Sequence, residues 1–264
     1  MTEAKAQNMP QNMPQNMSQN MPQQEDAPFP KAMPMLLSFV AGYVDSYTYL
    51  ALFGLFAAQV TGSFVIAGAE LVTRDYGIAG KLLAIVAFVV AAALTAALTI
   101  WVRNTGRAPL PWMLALEAAL LAIFSAMILF GSTIKDASDW HGIVAGLLAA
   151  SAMGAQSVLV RLLMKGIPQT NVMTGNMTQL GIATTDLIVA WRKLQDSRHD
   201  LNDVRDFENV RQQLSIVGSI AGGFLIGAAI GAVAFATIGV RGALLAVGIV
   251  AALAVWAFRH RRAT

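Results

Sequence analysis

The chain has 264 residues, 56% of them hydrophobic and 12% charged, with a formal net charge of +3 and no cysteine. A soluble domain of this size carries about twice that share of charge, and the apolar residues fall in blocks of roughly 20, the length a helix needs to cross a hydrocarbon core. The missing cysteines exclude disulfides and thiolate metal sites, and charge without a basic, aromatic-interleaved face excludes nucleic acid as a partner.

Residues 1–30 come first. Within them 7–22 read QNMP QNMP QNMS QNMP. A Pro-interrupted polar repeat cannot bury a core, so this tail is expected to be disordered. Met9, Met13, Met17 and Met21 offer thioethers of the kind that suit Cu(I), but no His or Cys joins them, and neither a metal nor a cofactor is assigned. The tail has no apolar core of a cleavable signal, so the first span is expected to direct insertion.

Hydropathy then marks eight segments: 33–55, 55–73, 80–102, 111–131, 142–164, 168–190, 213–238 and 241–258. Pro109 and Pro111 precede the fourth and Pro168 the sixth, as helix-start prolines do. Trp101, Trp112, Trp140, Trp191 and Trp256 stand at segment ends, where indoles settle at headgroup level. The fold expected over 31–258 is all-α: a polytopic transmembrane helix bundle with an internal duplication and six to eight spans. Residues 191–213 carry five basic and five acidic side chains and are expected to form a solvated cytoplasmic loop or helical hairpin. Residues 259–264 form a basic cytoplasmic end. In the seventh segment Gly218 and Gly222, and then Gly223, Gly227 and Gly231, have small-xxx-small spacing. Such spacing serves close packing inside the chain or a homodimer through 218–231.

The duplication is visible in aligned residues. Gly42-Tyr43-Val44-Asp45-Ser46 lies over Gly154-Ala155-Gln156-Ser157-Val158. With one single-residue gap, Thr61-Gly62-Ser63 then falls on Thr174-Gly175-Asn176, and Gly68 on Gly181. The halves run over about 33–131 and 142–258. Many secondary transporters are built from such repeats, with the site at their interface.

GYVDSYTYLALFGLFAAQVTGS, followed by GAQSVLVR and VMTGNMTQLG, resembles the YoaK-like family of bacterial inner-membrane proteins, known chiefly as a domain of unknown function. That family's first signature usually ends Thr-Gly-Asn and its second begins Gly-x-Gln-Asn; Ser63 and Ser157 stand at those asparagines here. The resemblance implies a multi-pass protein of the bacterial inner membrane and implies no chemistry.

Thr-Gly clusters at membrane depth mark either tightly packed helices or unwound turns, and unwound backbone there must be buried in protein or line a wet cavity. If 55–73 and 168–190 both cross, each half holds four spans and the halves are parallel. If both dip and return, each holds three and the halves are inverted. Segment length favours crossing, whereas Thr170, Asn171, Thr174, Asn176, Thr178, Gln179, Thr184, Thr185 and Asp186 make the second polar enough to favour dipping; the expectation is eight hydrophobic segments, with the Thr-Gly regions helical but locally irregular. Either topology leaves most of the 18 Lys and Arg inside, with both termini cytoplasmic.

Asp45 is the first candidate functional residue. It is an acid near the middle of the first span, costly there unless protonated, paired or wet, and it reads as a proton- or cation-coupling group or as a structural hydrogen-bond acceptor. Thr61, Gly62, Ser63, Gln156, Ser157, Thr174, Gly175, Asn176 and Gln179 add neutral polar groups along a solute or ion pathway. Glu117 and Arg161 are possible charge partners. No hydrolase, phosphate-loop or dinucleotide motif occurs, and His141, His199 and His260 lie far apart. The reading is therefore not an enzyme but a small permease moving a polar solute or ion between duplicated halves, possibly proton-coupled through Asp45. The alternatives are a non-transporting scaffold or assembly protein and, further off, an intramembrane enzyme. The expected partners are the lipid bilayer and the solute.

Overall fold

A computed structural model describes residues 29–73, 77–196 and 201–260. The QNMP tail and the last basic residues lie outside them. Eight α-helices follow one another: α1 (Met33–Ala51), α2 (Val60–Thr73), α3 (Ile78–Asn104), α4 (Pro109–Phe130), α5 (Trp140–Leu163), α6 (Met173–Asp196), α7 (Leu201–Ile238) and α8 (Ala243–Arg259). A short 3-10 turn, Gly239–Gly242, joins the last two. The chain is a helical membrane bundle. Four stretches are long and apolar enough to cross a bilayer, namely α3, α4, α5 and the run Leu201–Arg259 that contains both α7 and α8.

Local chemistry sets the helix limits. Pro34 and Pro109 sit in first turns, where a missing N–H costs nothing. The Asp139 carboxylate accepts from the His141 N–H at 3.0 Å and caps α5. α1 stops where Phe53 and Gly54 take φ of 54° and 83°, and the connection after α5 turns at Gly166, φ 79°. Gly54 and Gly166 hold aligned places in the two halves and permit the same left-handed reversal.

Contacts at the helix ends give the directions. Phe53, Lys81, Asp136 and Gly142 line one small crevice, so the end of α1, the start of α3, the α4–α5 loop and the start of α5 share one end of the bundle. At the other end Arg103 reaches the Leu162 carbonyl at 3.1 Å, and Trp112 and Phe258 meet edge to face at 5.4 Å. The Ser125 hydroxyl donates to the Ala243 carbonyl and the Tyr43 hydroxyl to the Gly242 carbonyl, which places the α7–α8 turn with the first group. Six helices, α1, α3, α4, α5, α7 and α8, thus alternate in direction. The first and last begin and finish at the same end, called here the terminal end, and the other is the far end.

α2 and α6 do not run the length of the bundle. Lys81 donates to the Phe53 carbonyl at 3.1 Å and to Glu70 at 2.5 Å, which fixes the entry of the α2 segment beside its exit. Residues 52–59 descend from the far end, and α2 climbs back to it. The second segment mirrors this from the terminal end, where 164–172 enter and α6 leaves. The expectation that segment length means crossing is corrected accordingly: six helices run from end to end of the bundle, and two segments enter and leave it at one end. In 55–73 length misled because the unwound leg was counted as helix, leaving α2 with 14 residues; α6 has 24, and there length alone gave no warning.

α7 is 38 residues long, on the order of 57 Å, well beyond the roughly 30 Å of a hydrocarbon core. Its charged first turns and the end of α6 form a helical hairpin where 191–213 reads as a loop or hairpin. Gly223, Gly227 and Gly231 abut the backbone of Met35, Phe39 and Tyr43, so this series packs α7 on α1 within the chain.

Candidate functional site

α1 carries both unwound legs. Near the far end the Asp45 carboxylate, 2% exposed, accepts the Ala58 N–H at 2.6 Å and the Gln59 N–H at 3.0 Å. These donors immediately precede α2, where backbone N–H groups lack intrahelical partners. Hydrogen bonds to a charged acceptor are each worth about 1.5–3 kcal/mol, which stabilises backbone that lipid could not satisfy. One turn into α2, Ser63 closes the leg upon itself: its hydroxyl donates to the Phe56 carbonyl at 3.1 Å and accepts the Phe56 N–H at 3.3 Å.

Two turns nearer the terminal end, α1 meets the second leg. Gln156 donates to the Leu37 carbonyl at 2.9 Å and to Thr170 Oγ1 at 2.8 Å. The Ser38 hydroxyl lies 3.0 Å from the Thr170 carbonyl and 2.8 Å from that of Ile220. Asn171 donates to Ser157 Oγ at 2.5 Å, and Asn176 to the Gln169 carbonyl at 2.7 Å. The aligned residues therefore do aligned work. Asp45 holds Ala58 as Ser157 holds Asn171, and Ser63 closes on Phe56 as Asn176 closes on Gln169.

The helix crossings match as well. A Cβ on Gly42 would lie 2.9 Å from the Phe224 carbonyl carbon and 3.0 Å from the Ala228 nitrogen. On Gly154 it would lie 2.5 Å from the Phe88 carbonyl oxygen and 3.4 Å from the Ala92 nitrogen. α1 crosses α7, and α5 crosses α3, backbone against backbone, which only glycine allows.

Other candidates fall outside these clusters. Thr61, Thr174 and Gly175 face outward, and Gln179 is half-buried. Gly62 packs against the Phe56 ring. Arg161 is exposed at the end of α5 and, among the described residues, forms no ion pair with Asp45 or Glu117. Glu117 is fully buried on α4, and neither carboxylate oxygen has a hydrogen-bond partner among the described residues. Phe39, Tyr43 and Tyr47 stack along α1, the last two with hydroxyls on the 239–242 turn, and so are packing residues.

Sequence reasoning missed four participants. Ser38, Thr170 and Asn171 carry the second leg; Thr170 and Asn171 belong to a polar run just ahead of the Thr-Gly motif, whereas Ser38 is a single hydroxyl in an apolar stretch and gave no signal. Lys81 is 2% exposed and pairs with Glu70; its signal was a lone cation opening an otherwise apolar helix. The crevice beside Lys81 holds about 10 Å³. A groove of about 400 Å³ lies away from both legs, between Trp101, Arg107, Trp112 and Leu116. Among the described residues no cluster of acids and histidines has the makings of a metal site.

The family model described as "Protein of unknown function (DUF1275)" matches residues 33–256, and the chain belongs to that family. This is the family whose signatures the sequence resembles. No curated protein and no solved structure matches.

Proposed function

We propose that the protein is a small permease of the bacterial inner membrane, built of two inverted copies of one three-span unit with a re-entrant element. The observation that carries this reading is the paired unwound legs, one entering from each end and both anchored on α1. Irregular backbone at membrane depth is the hallmark of solute and ion sites in transporters built from inverted repeats. Aligned glycines, anchors and helix crossings in the two halves support duplication. The terminal end collects Arg103, Arg107, Arg161, Lys165 and Arg259, which supports a cytoplasmic position for both termini in this reading. No enzymatic step is assigned.

Asp45 is the coupling group of this proposal. A proton on its carboxylate weakens the bonds to Ala58 and Gln59 and releases the far-end leg, so proton uptake and exposure of the site occur together. The scaffold reading keeps one observation in its favour, the closeness of packing beside Lys81. The absence of native cysteine allows both to be tested without a known solute. Lys135→Cys should react with an impermeant thiol reagent on intact cells and Gly106→Cys should not; the reverse pattern overturns the topology. Ala58→Cys, now buried, should become reactive from outside as pH falls, and at neutral pH once Asp45→Asn is added. An Ala58→Cys that stays unreactive in both backgrounds makes the protein a scaffold.

A further inference from the structure

Among the described residues two acids, Asp45 and Glu117, are deeply buried, and their surroundings are opposite. Asp45 is surrounded by backbone donors, whereas Glu117, 0% exposed, offers two oxygens to nothing among the described residues. An ionised carboxylate without donor, cation or water at membrane depth costs several kcal/mol. Buried carboxylates that persist as anions are paired or hydrogen-bonded.

The neighbours supply no counter-charge. α4 packs chiefly on α5 and α8, and also on α3 and the 239–242 turn. Their titratable or charged side chains are Lys81 and Arg103 on α3, His141 and Arg161 on α5, Arg241 in the turn and Arg259 on α8. Lys81 is held by Glu70, Arg103 reaches the Leu162 carbonyl and His141 lies against Ser132. Arg161, Arg241 and Arg259 are exposed at helix ends. Tyr47, which meets α4 through the Phe124 ring, directs its hydroxyl to the Gly239 and Val240 carbonyls. On α4 itself the buried neighbours of Glu117 one turn away are Met113, Leu114 and Leu121.

We propose that Glu117 is a proton-binding site in the bundle interior, occupied while α4 is packed and emptied when water reaches it. The step is a single proton transfer. The O–H bond of the neutral acid breaks, the electron pair stays on the carboxylate, and the proton passes to an entering water molecule; binding is the reverse. The inference goes beyond the transport reading, since a bundle that moved no solute could hold the same proton.

Infrared difference spectroscopy of the purified full-length chain in lipid tests it. At neutral pH the wild type should show the carbonyl stretch of a protonated carboxylic acid, shifted in D2O. Glu117→Gln should abolish that band, Glu117→Asp should move it, and Asp45→Asn should leave it in place. Glu117→Asp decides the matter if the Gln variant fails to fold. A wild type without the band, or a band that survives Glu117→Gln unchanged, overturns the proposal. Separately, a band lost in Asp45→Asn makes Asp45 the protonated acid. The labelling of Ala58→Cys reads the far-end leg alone, so the two proposals fail independently.

Discussion

The two unwound legs solve one problem with different chemistry. Each must satisfy backbone that has left its helix at membrane depth. At the far end a carboxylate, Asp45, takes backbone N–H groups directly. At the terminal end neutral groups do the holding, Gln156 and Ser38 on Thr170 and Ser157 on Asn171. A charged acceptor binds backbone donors about twice as strongly as a neutral one, and it alone can be switched off by a proton. The neutral leg keeps its grip at any pH. In the proposed mechanism the pair is one fixed and one switchable form of the same anchoring device.

The largest test of that contrast is Asp45→Ala against Ser157→Ala. Asp45→Ala leaves the N–H groups of Ala58 and Gln59 buried without an acceptor, at a cost of about 3 kcal/mol or more, whereas Ser157→Ala should cost about 1 kcal/mol. Thermal unfolding of the two variants in detergent reads the difference, and equal losses would erase the distinction between the legs. Next come the crossings, where the halves should behave alike. Gly42→Ala and Gly154→Ala each push a methyl into opposing backbone and should each cost about 1–3 kcal/mol. A variant as stable as wild type on one side only would break the equivalence of the copies. The smallest effect sharpens the ends. Asp136, in the exposed α4–α5 loop, is held below the usual carboxylate range by the Ser138 hydroxyl and N–H. Its folded-state value is depressed, so its contribution is complete above an unfolded value near 3.8 and fades as pH falls below that. Hydrogen exchange of the loop should therefore quicken only in strong acid, with slight effect because the site is exposed.

The parts of the fold legible in the sequence were those that repeat. Gly42 with Gly154, Asp45 with Ser157, and Ser63 with Asn176 aligned by eye, and each pair performs matched work in three dimensions. The direction of α2 and α6 was not legible, because hydropathy measures how greasy a segment is and is blind to where its end returns. Only the bridge from Lys81 to Phe53 and Glu70 tells entry from exit, and that contact joins residues no spacing rule links. Glu117 read as an acid one turn inside a span, near enough to the surface to reach it; its isolation follows from how α4 packs on α5 and α8.

The crossings also bear on how the protein is made. α1 rests on α7 and α5 on α3, so neither α1–α4 nor α5–α8 is a finished unit by itself. Tyr43 leaves the ribosome long before Gly231, the residue it must pack against. At roughly 5–20 residues per second that interval is on the order of 10–40 s. Throughout it the face of α1 that receives the α7 glycines lacks that helix. The nascent protein must therefore be sheltered, by lipid or by the insertion machinery, until its seventh helix arrives.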